Sequence, residues 1–164
     1  MAALDVIFRL LKPGDEIIAG NDLYGGSNRL LTYLKTHNGI ITHHVSTTEP
    51  ETLLPFLTRP ESNVTMVLLE TPTNPLLQIA DIAAIAAMVH EHRPDALVVV
   101  DNTMMSPYLQ RPLEHGADLV YDSGTKYLSG HHDLMAGMIS CNREEIAKVF
   151  LILLCSFQFV LILE

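Results

Sequence analysis

The sequence predicts an α/β fold: a mainly parallel sheet with helices on both faces. Two observations carry this. Residues 64–69 and 96–100 are continuous apolar runs, as expected of strands buried on both sides. Between such runs lie segments with helical apolar spacing, closed by Gly and Pro turns, which is a βα rhythm. A hydrophobic share of 48% against 18% charged residues fits a folded chain, and 164 residues suffice for one domain with a core.

The elements follow in order. Residues 2–11 have helical spacing and stop at Lys12-Pro13-Gly14. A short strand over 16–19 leads to a loop over 21–27 that contains Gly25-Gly26. A helix over 28–37 closes at Asn38-Gly39, and a strand over 40–45 and a short helix over 50–57 come next. The buried strand 64–69 runs into the loop Thr71-Pro72-Thr73-Asn74-Pro75. A helix over 81–92 takes Asp81 as its N-cap. Strand 96–100 ends in Asp101, strand 119–121 leads into residues 123–126, and strand 136–140 precedes a helix starting near Arg143. No repeat or internal linker interrupts this pattern.

Residues 149–163 are almost wholly apolar. As a helix they would span roughly 22 Å, short of the about 30 Å of a bilayer core. They lack the polar face of a surface helix. The expectation is a buried helix or a tail foreign to the rest, with a membrane anchor disfavoured.

Charge narrows the function. The net charge is −9, with only 10 Lys and Arg spread along the chain, so nucleic acid is not expected as a partner. The two cysteines, Cys141 and Cys155, have no metal-type or redox-type spacing, which suits a reducing, cytoplasmic setting.

Ligands of open α/β sheets gather beyond the carboxyl ends of the strands. Three such ends carry useful chemistry: Glu70 with the loop to Pro75, Asp101-Asn102-Thr103, and Asp122-Ser123-Gly124-Thr125-Lys126. A carboxylate after Val98-Val99-Val100 would be partly buried and would need a cationic partner, such as a protonated pyridine nitrogen. A desolvated lysine beside it could condense with an aldehyde. Ser123, Gly124 and Thr125 offer hydroxyl and N–H donors to a phosphate, and Tyr24 an aromatic face to a flat ring. Taken singly, each has a plainer reading: a strand-end Asp shapes a turn, a Lys in a Ser/Gly/Thr loop is solvated, and Tyr-Gly-Gly is a turn. A metal site built from His131, His132 and Asp133, with His43-His44 or His90 and His92, is a weaker alternative, and no metal is expected.

The motifs are more specific than any single residue. Leu23-Tyr24-Gly25-Gly26, Glu70 through Pro75, Val100 through Thr103, Gln110-Arg111-Pro112-Leu113, Gly116-Ala117-Asp118 and Ser123-Gly124-Thr125-Lys126-Tyr127-Leu128-Ser129-Gly130-His131 stand in register. Together they resemble the Cys/Met-metabolism enzymes that depend on pyridoxal phosphate, of the cystathionine lyase type. The resemblance covers residues 1–148. It implies the large domain of the type I fold of pyridoxal-phosphate-dependent transferases, in part, with residues 149–164 as a tail not native to the family.

The resemblance also implies roles. Lys126 would hold the cofactor covalently and move the substrate α-proton. Asp101 would pair with the ring nitrogen. Tyr24 would stack on the ring and assist proton transfer. Ser123, Thr125 and the backbone at Met1 would hold the phosphate. Asn74 would contact the phenolic oxygen side, and Thr103 would pack against the ring. The runs Met104-Met105-Ser106-Pro107 and His131 through Gly137 resemble the β-lyase branch, with γ-lyase and γ-synthase as near alternatives. The implied substrate is an amino acid, cystathionine, and the implied assembly a homo-oligomer.

Other parts of the family pattern are not matched within these 164 residues. They include the Ser-Gly that precedes Met-Ala-Ala, an N-terminal arm reaching the neighbouring subunit, and a C-terminal domain with an arginine for the substrate carboxylate. Arg9, Arg29, Arg59, Arg93, Arg111 and Arg143 do not match that arginine. Little lyase activity is therefore expected of this chain alone, and a non-catalytic cofactor-binding or assembly module is the alternative.

Overall fold

The computed structural model describes residues 1–157, with side chains through Leu153. Six strands form one sheet: β1 (Glu16–Gly20), β2 (Ile41–Val45), β3 (Val64–Glu70), β4 (Leu97–Asp101), β5 (Leu119–Ser123) and β6 (Gly137–Cys141). Their order is β2-β1-β3-β4-β5-β6. All neighbours are parallel except β5 and β6. The predicted α/β class is thus the observed one.

Strand alternation sends side chains to two cores. Ile17, Ala19, Met66, Leu68, Val99 and Leu119 face one side. There they meet α1 (Ala2–Phe8), α2 (Gly25–His37) and α6 (Glu144–Phe157), with Leu4, Ile7, Leu31 and Phe150 in the packing. Ile18, Val67, Leu69, Val98 and Val100 face the other side. That core is closed by α3 (Leu54–Thr58) and α4 (Ile82–His92) through Leu57, Ile85 and Val89. Two covered faces explain why the central strands read as unbroken apolar runs.

Three local details differ from expectation. Helix α2 starts at Gly25, not near Asn28, so the two glycines lie inside its first turn. A four-residue helix, α5 (Ser106–Leu109), opens with Pro107 in its first turn, where a missing N–H costs nothing. The segment 50–57 divides into a 3₁₀ turn at Pro50–Leu53 and α3. Asp81 does cap α4, its Oδ1 accepting the Ala84 N–H at 3.0 Å.

Helix α6 runs across position 148, and Phe150 is 1% exposed, buried with α1. The expected apolar stretch 149–163 lies partly in this helix, and its positions 158–163 are outside the described residues. Among the described residues no helix is long and apolar enough to cross a membrane.

Candidate active site

The chain reverses direction across the sheet between β1 and β3, because β2 lies outside β1 and β3 lies inside it. Such switch points open a crevice at the carboxyl ends of the strands. A cavity of about 440 Å³ lies there. Met1, Tyr24, Asn74, Asp101, Thr103, Ser123, Thr125 and Lys126 all line it, so every site residue expected from the sequence borders one space.

Asp101 ends β4 and is 7% exposed. Burial raises its carboxyl above the ordinary range, against hydrogen bonding from Thr103 and Tyr121. The Thr103 N–H donates to Asp101 Oδ1 at 3.0 Å. Among the described residues no Lys, Arg or His side chain forms an ion pair with it. A buried acid in this state suits a cationic group inside the cavity. Lys126 follows β5 by three residues and is exposed, so protein packing does not supply the desolvation expected for it.

Hydroxyl groups tie the loops. Thr103 Oγ1 accepts the Ser123 N–H at 2.9 Å, and Thr125 Oγ1 accepts the Ala136 N–H at 3.1 Å. Gly124 is needed at its place because a Cβ there would come within 2.9 Å of Ala136 Cβ. Tyr24 follows β1 in the turn into α2 and is 47% exposed, lining the cavity.

Sequence reasoning gave no role to several groups. Glu70 is 4% exposed, and burial raises its carboxyl to about 7. Burial and the nearby Asp101 raise Asp122 to about 6, and its buried Oδ1 has no hydrogen-bond partner among the described residues. Tyr121, buried beside Asp101, has its phenol pushed well up by burial. Met104, Tyr127 and His132 complete much of the wall. Strand ends rich in acid were visible in the sequence, but only the register Glu70↔Asp101↔Tyr121 across three strands brings them together.

The alternative histidine sites do not form. His43 bonds Glu16 at 2.6 Å, and His90 bonds Asp118 at 2.9 Å. Among the described residues no group of His, Cys, Asp or Glu is placed to hold a metal.

The fold and cavity define an α/β enzyme of the kind that carries an organic cofactor beyond the carboxyl edge of its sheet. The chain belongs to the Cys/Met metabolism PLP-dependent enzyme family, whose model matches residues 1–154. It is 62% identical to cystathionine beta-lyase of Neurospora crassa over 146 residues, 89% of this chain and 31% of that protein. It is 49% identical to cystathionine beta-lyase of Schizosaccharomyces pombe over 148 residues, 90% of this chain and 37% of that protein. Among solved structures, cystathionine gamma-lyase from Lactobacillus plantarum, complexed with L-serine, matches with a TM-score of 0.90 at 38% identity, over 98% of this chain and 41% of that one. The chain therefore spans about a third of the length of the curated relatives it matches. The family depends on pyridoxal phosphate, and its fold is the type I fold expected from the motifs.

The cavity fits this cofactor on its own chemistry. A buried carboxylate without a side-chain cation, hydroxyl groups on the adjoining loop and a primary amine share one space.

Proposed function

We propose that this chain is the cofactor-binding part of a carbon–sulfur lyase that splits cystathionine by α,β-elimination. The observation that carries the reading is that Lys126 and the buried Asp101 line the same cavity. The high identity to proteins named cystathionine beta-lyase supports the β outcome. The γ-lyase likeness keeps a γ-elimination as the second reading.

When bound, pyridoxal phosphate supplies an electron sink for the charge left at the substrate α-carbon. Asp101 would keep a proton at the ring nitrogen. Lys126 would hold the cofactor and carry the substrate α-proton on Nζ. Tyr24 would cover the ring and assist the proton. Ser123, Thr125 and the backbone at Met1 would hold the phosphate, with Asn74 on the phenolic oxygen side and Thr103 beside the ring. The net reaction takes cystathionine and water to homocysteine, pyruvate and ammonia.

No arginine lines the cavity among the described residues. Arg59 instead pairs with Glu16, Arg111 with Glu114 and Arg143 with Asp118. A bidentate clamp on the substrate carboxylate would have to come from elsewhere. Turnover by this chain alone is therefore slow, because orientation of the α-proton is a large part of the rate. The division into a family piece over 1–148 and a tail over 149–164, a cytoplasmic location and assembly with like subunits belong to the same proposal.

The test is to supply the chain with pyridoxal phosphate and cystathionine. Trace pyruvate that vanishes in Lys126→Ala supports the reading. 2-Oxobutyrate in its place favours the γ outcome. Fast turnover would contradict the need for an outside clamp.

A further inference from the structure

We propose that Glu70 is a positioning residue that, together with Gly26, sets Tyr24 at the cofactor cavity. This rests on the reading of Tyr24 as the residue that covers the cofactor ring.

Glu70 ends β3 and is buried, yet among the described residues it forms no ion pair with a Lys, Arg or His side chain. A buried carboxyl persists only where donors satisfy it. Its donors here are backbone groups. The Tyr24 N–H donates to Oε2 at 2.8 Å, and the Asn74 N–H also bonds the carboxyl. One side chain thus fastens two loops that border the cavity, one after β1 and one after β3.

Tyr24 is the N-cap of α2 and makes no side-chain cap bond, so Glu70 holds the residue through its backbone. Its ring lies over the first turn of α2, at Gly26. A Cβ at position 26 would lie 2.4 Å from Tyr24 Cε1 and 3.1 Å from Cδ1. Only glycine leaves the ring room to lie on that backbone. A half-exposed ring is otherwise free to change rotamer. Glu70 fixes the backbone from which the ring projects and Gly26 leaves the space in which it lies, so the ring is placed before any ligand arrives, which lowers the cost of binding.

The experiment is a double-mutant cycle on the full chain, read as the dissociation constant of pyridoxal phosphate and the circular dichroism of the bound form. Tyr24→Ala and Glu70→Leu should each weaken binding about tenfold, the scale of losing a hydrogen bond to a charged group. In the Tyr24→Ala background Glu70→Leu should cost clearly less than it does alone, leaving only the part carried by the Asn74 loop. Glu70→Gln keeps an acceptor oxygen and should restore near-native affinity and dichroism. Gly26→Ala reaches the ring without touching Glu70. It should give a similar loss, smaller without Tyr24 because only the contact with Met1 Sδ at 3.0 Å then remains, and so provides a second arm if Glu70→Leu does not fold. Additive losses would overturn the inference while leaving Tyr24 in the site. An unchanged affinity in Tyr24→Ala would overturn the reading of Tyr24, and the inference with it.

Discussion

Thr103 joins the ends of two strands: its Oγ1 accepts the Ser123 N–H at 2.9 Å, while its own N–H donates to Asp101 at 3.0 Å. The loop that carries Lys126 is thereby tied to the acid at the end of β4. Hydroxyl residues at strand ends commonly form such local bonds, but here the bond crosses from the loop after β4 to the end of β5.

Thr103→Val keeps the shape and removes the acceptor. It should leave the Ser123 N–H unpaired and weaken pyridoxal phosphate binding several-fold, on the order of the about 1 kcal/mol of one hydrogen bond. Thr103→Ser should retain most of the affinity. A cofactor titration followed by absorbance decides this, and equal affinity in Thr103→Val would show that the bond is idle.

The acids of the cavity make stability depend on pH in an unusual direction. Glu70 is raised from 4.5 to about 7 and Asp122 from 3.8 to about 6, both mainly by burial. Between the unfolded and folded values the folded chain binds more protons, so stability falls as pH rises through that window. At about 1.4 kcal/mol per pKa unit, the Glu70 shift is worth about 3 kcal/mol. The cofactor-free chain should resist urea better near pH 5 than near pH 8, with a flatter profile in Glu70→Gln. Glu16, lowered by bonds from Asn63, His43 and Arg59 against its burial, contributes the opposite trend only in more acid solution. Stability that rises between pH 5 and 8, or an unchanged slope in Glu70→Gln, would contradict these assignments.

Asp118 anchors the far end of the sheet. It is 8% exposed and accepts the Val98 N–H at 2.8 Å, His90 Nε2 at 2.9 Å and Arg143 Nη1 at 3.2 Å. One carboxylate thus gathers α4, β4 and the entry to α6 just before β5 begins. Asp118→Ala should cost about 2–3 kcal/mol in urea unfolding, because a buried N–H loses its partner. Cofactor affinity should not change, since the residue lies at the amino end of β5 and the cavity at its carboxyl end. Loss of affinity without loss of stability would contradict this separation.

Much of the fold could be read from the sequence because apolar runs and turn residues mark βα units directly. Val64 to Leu69 and Leu97 to Val100 had no other economical reading. The start of α2 was not legible: Gly25-Gly26 has poor helix propensity, and the need for Gly26 arises from the Tyr24 ring that packs on it. Helix α5 is too short for any periodicity to register. At the site, the motifs named residues that all border the cavity. They gave no hint of Glu70 as a tether, of the unpartnered Asp122 oxygen or of Tyr121 beside Asp101. Those depend on which strand lies beside which, and adjacency is a property of the sheet.

The central claim is that the amine of Lys126 and the carboxylate of Asp101 serve one pyridoxal phosphate. The direct measurement is to add the cofactor to the full chain, reduce with borohydride and locate the label by peptide mass spectrometry. A single label on Lys126 is expected, absent in Lys126→Ala and much reduced at limiting cofactor in Asp101→Ala. Label spread over Lys12, Lys35 and Lys148 as heavily as over Lys126, or unaffected by the loss of Asp101, would contradict the account.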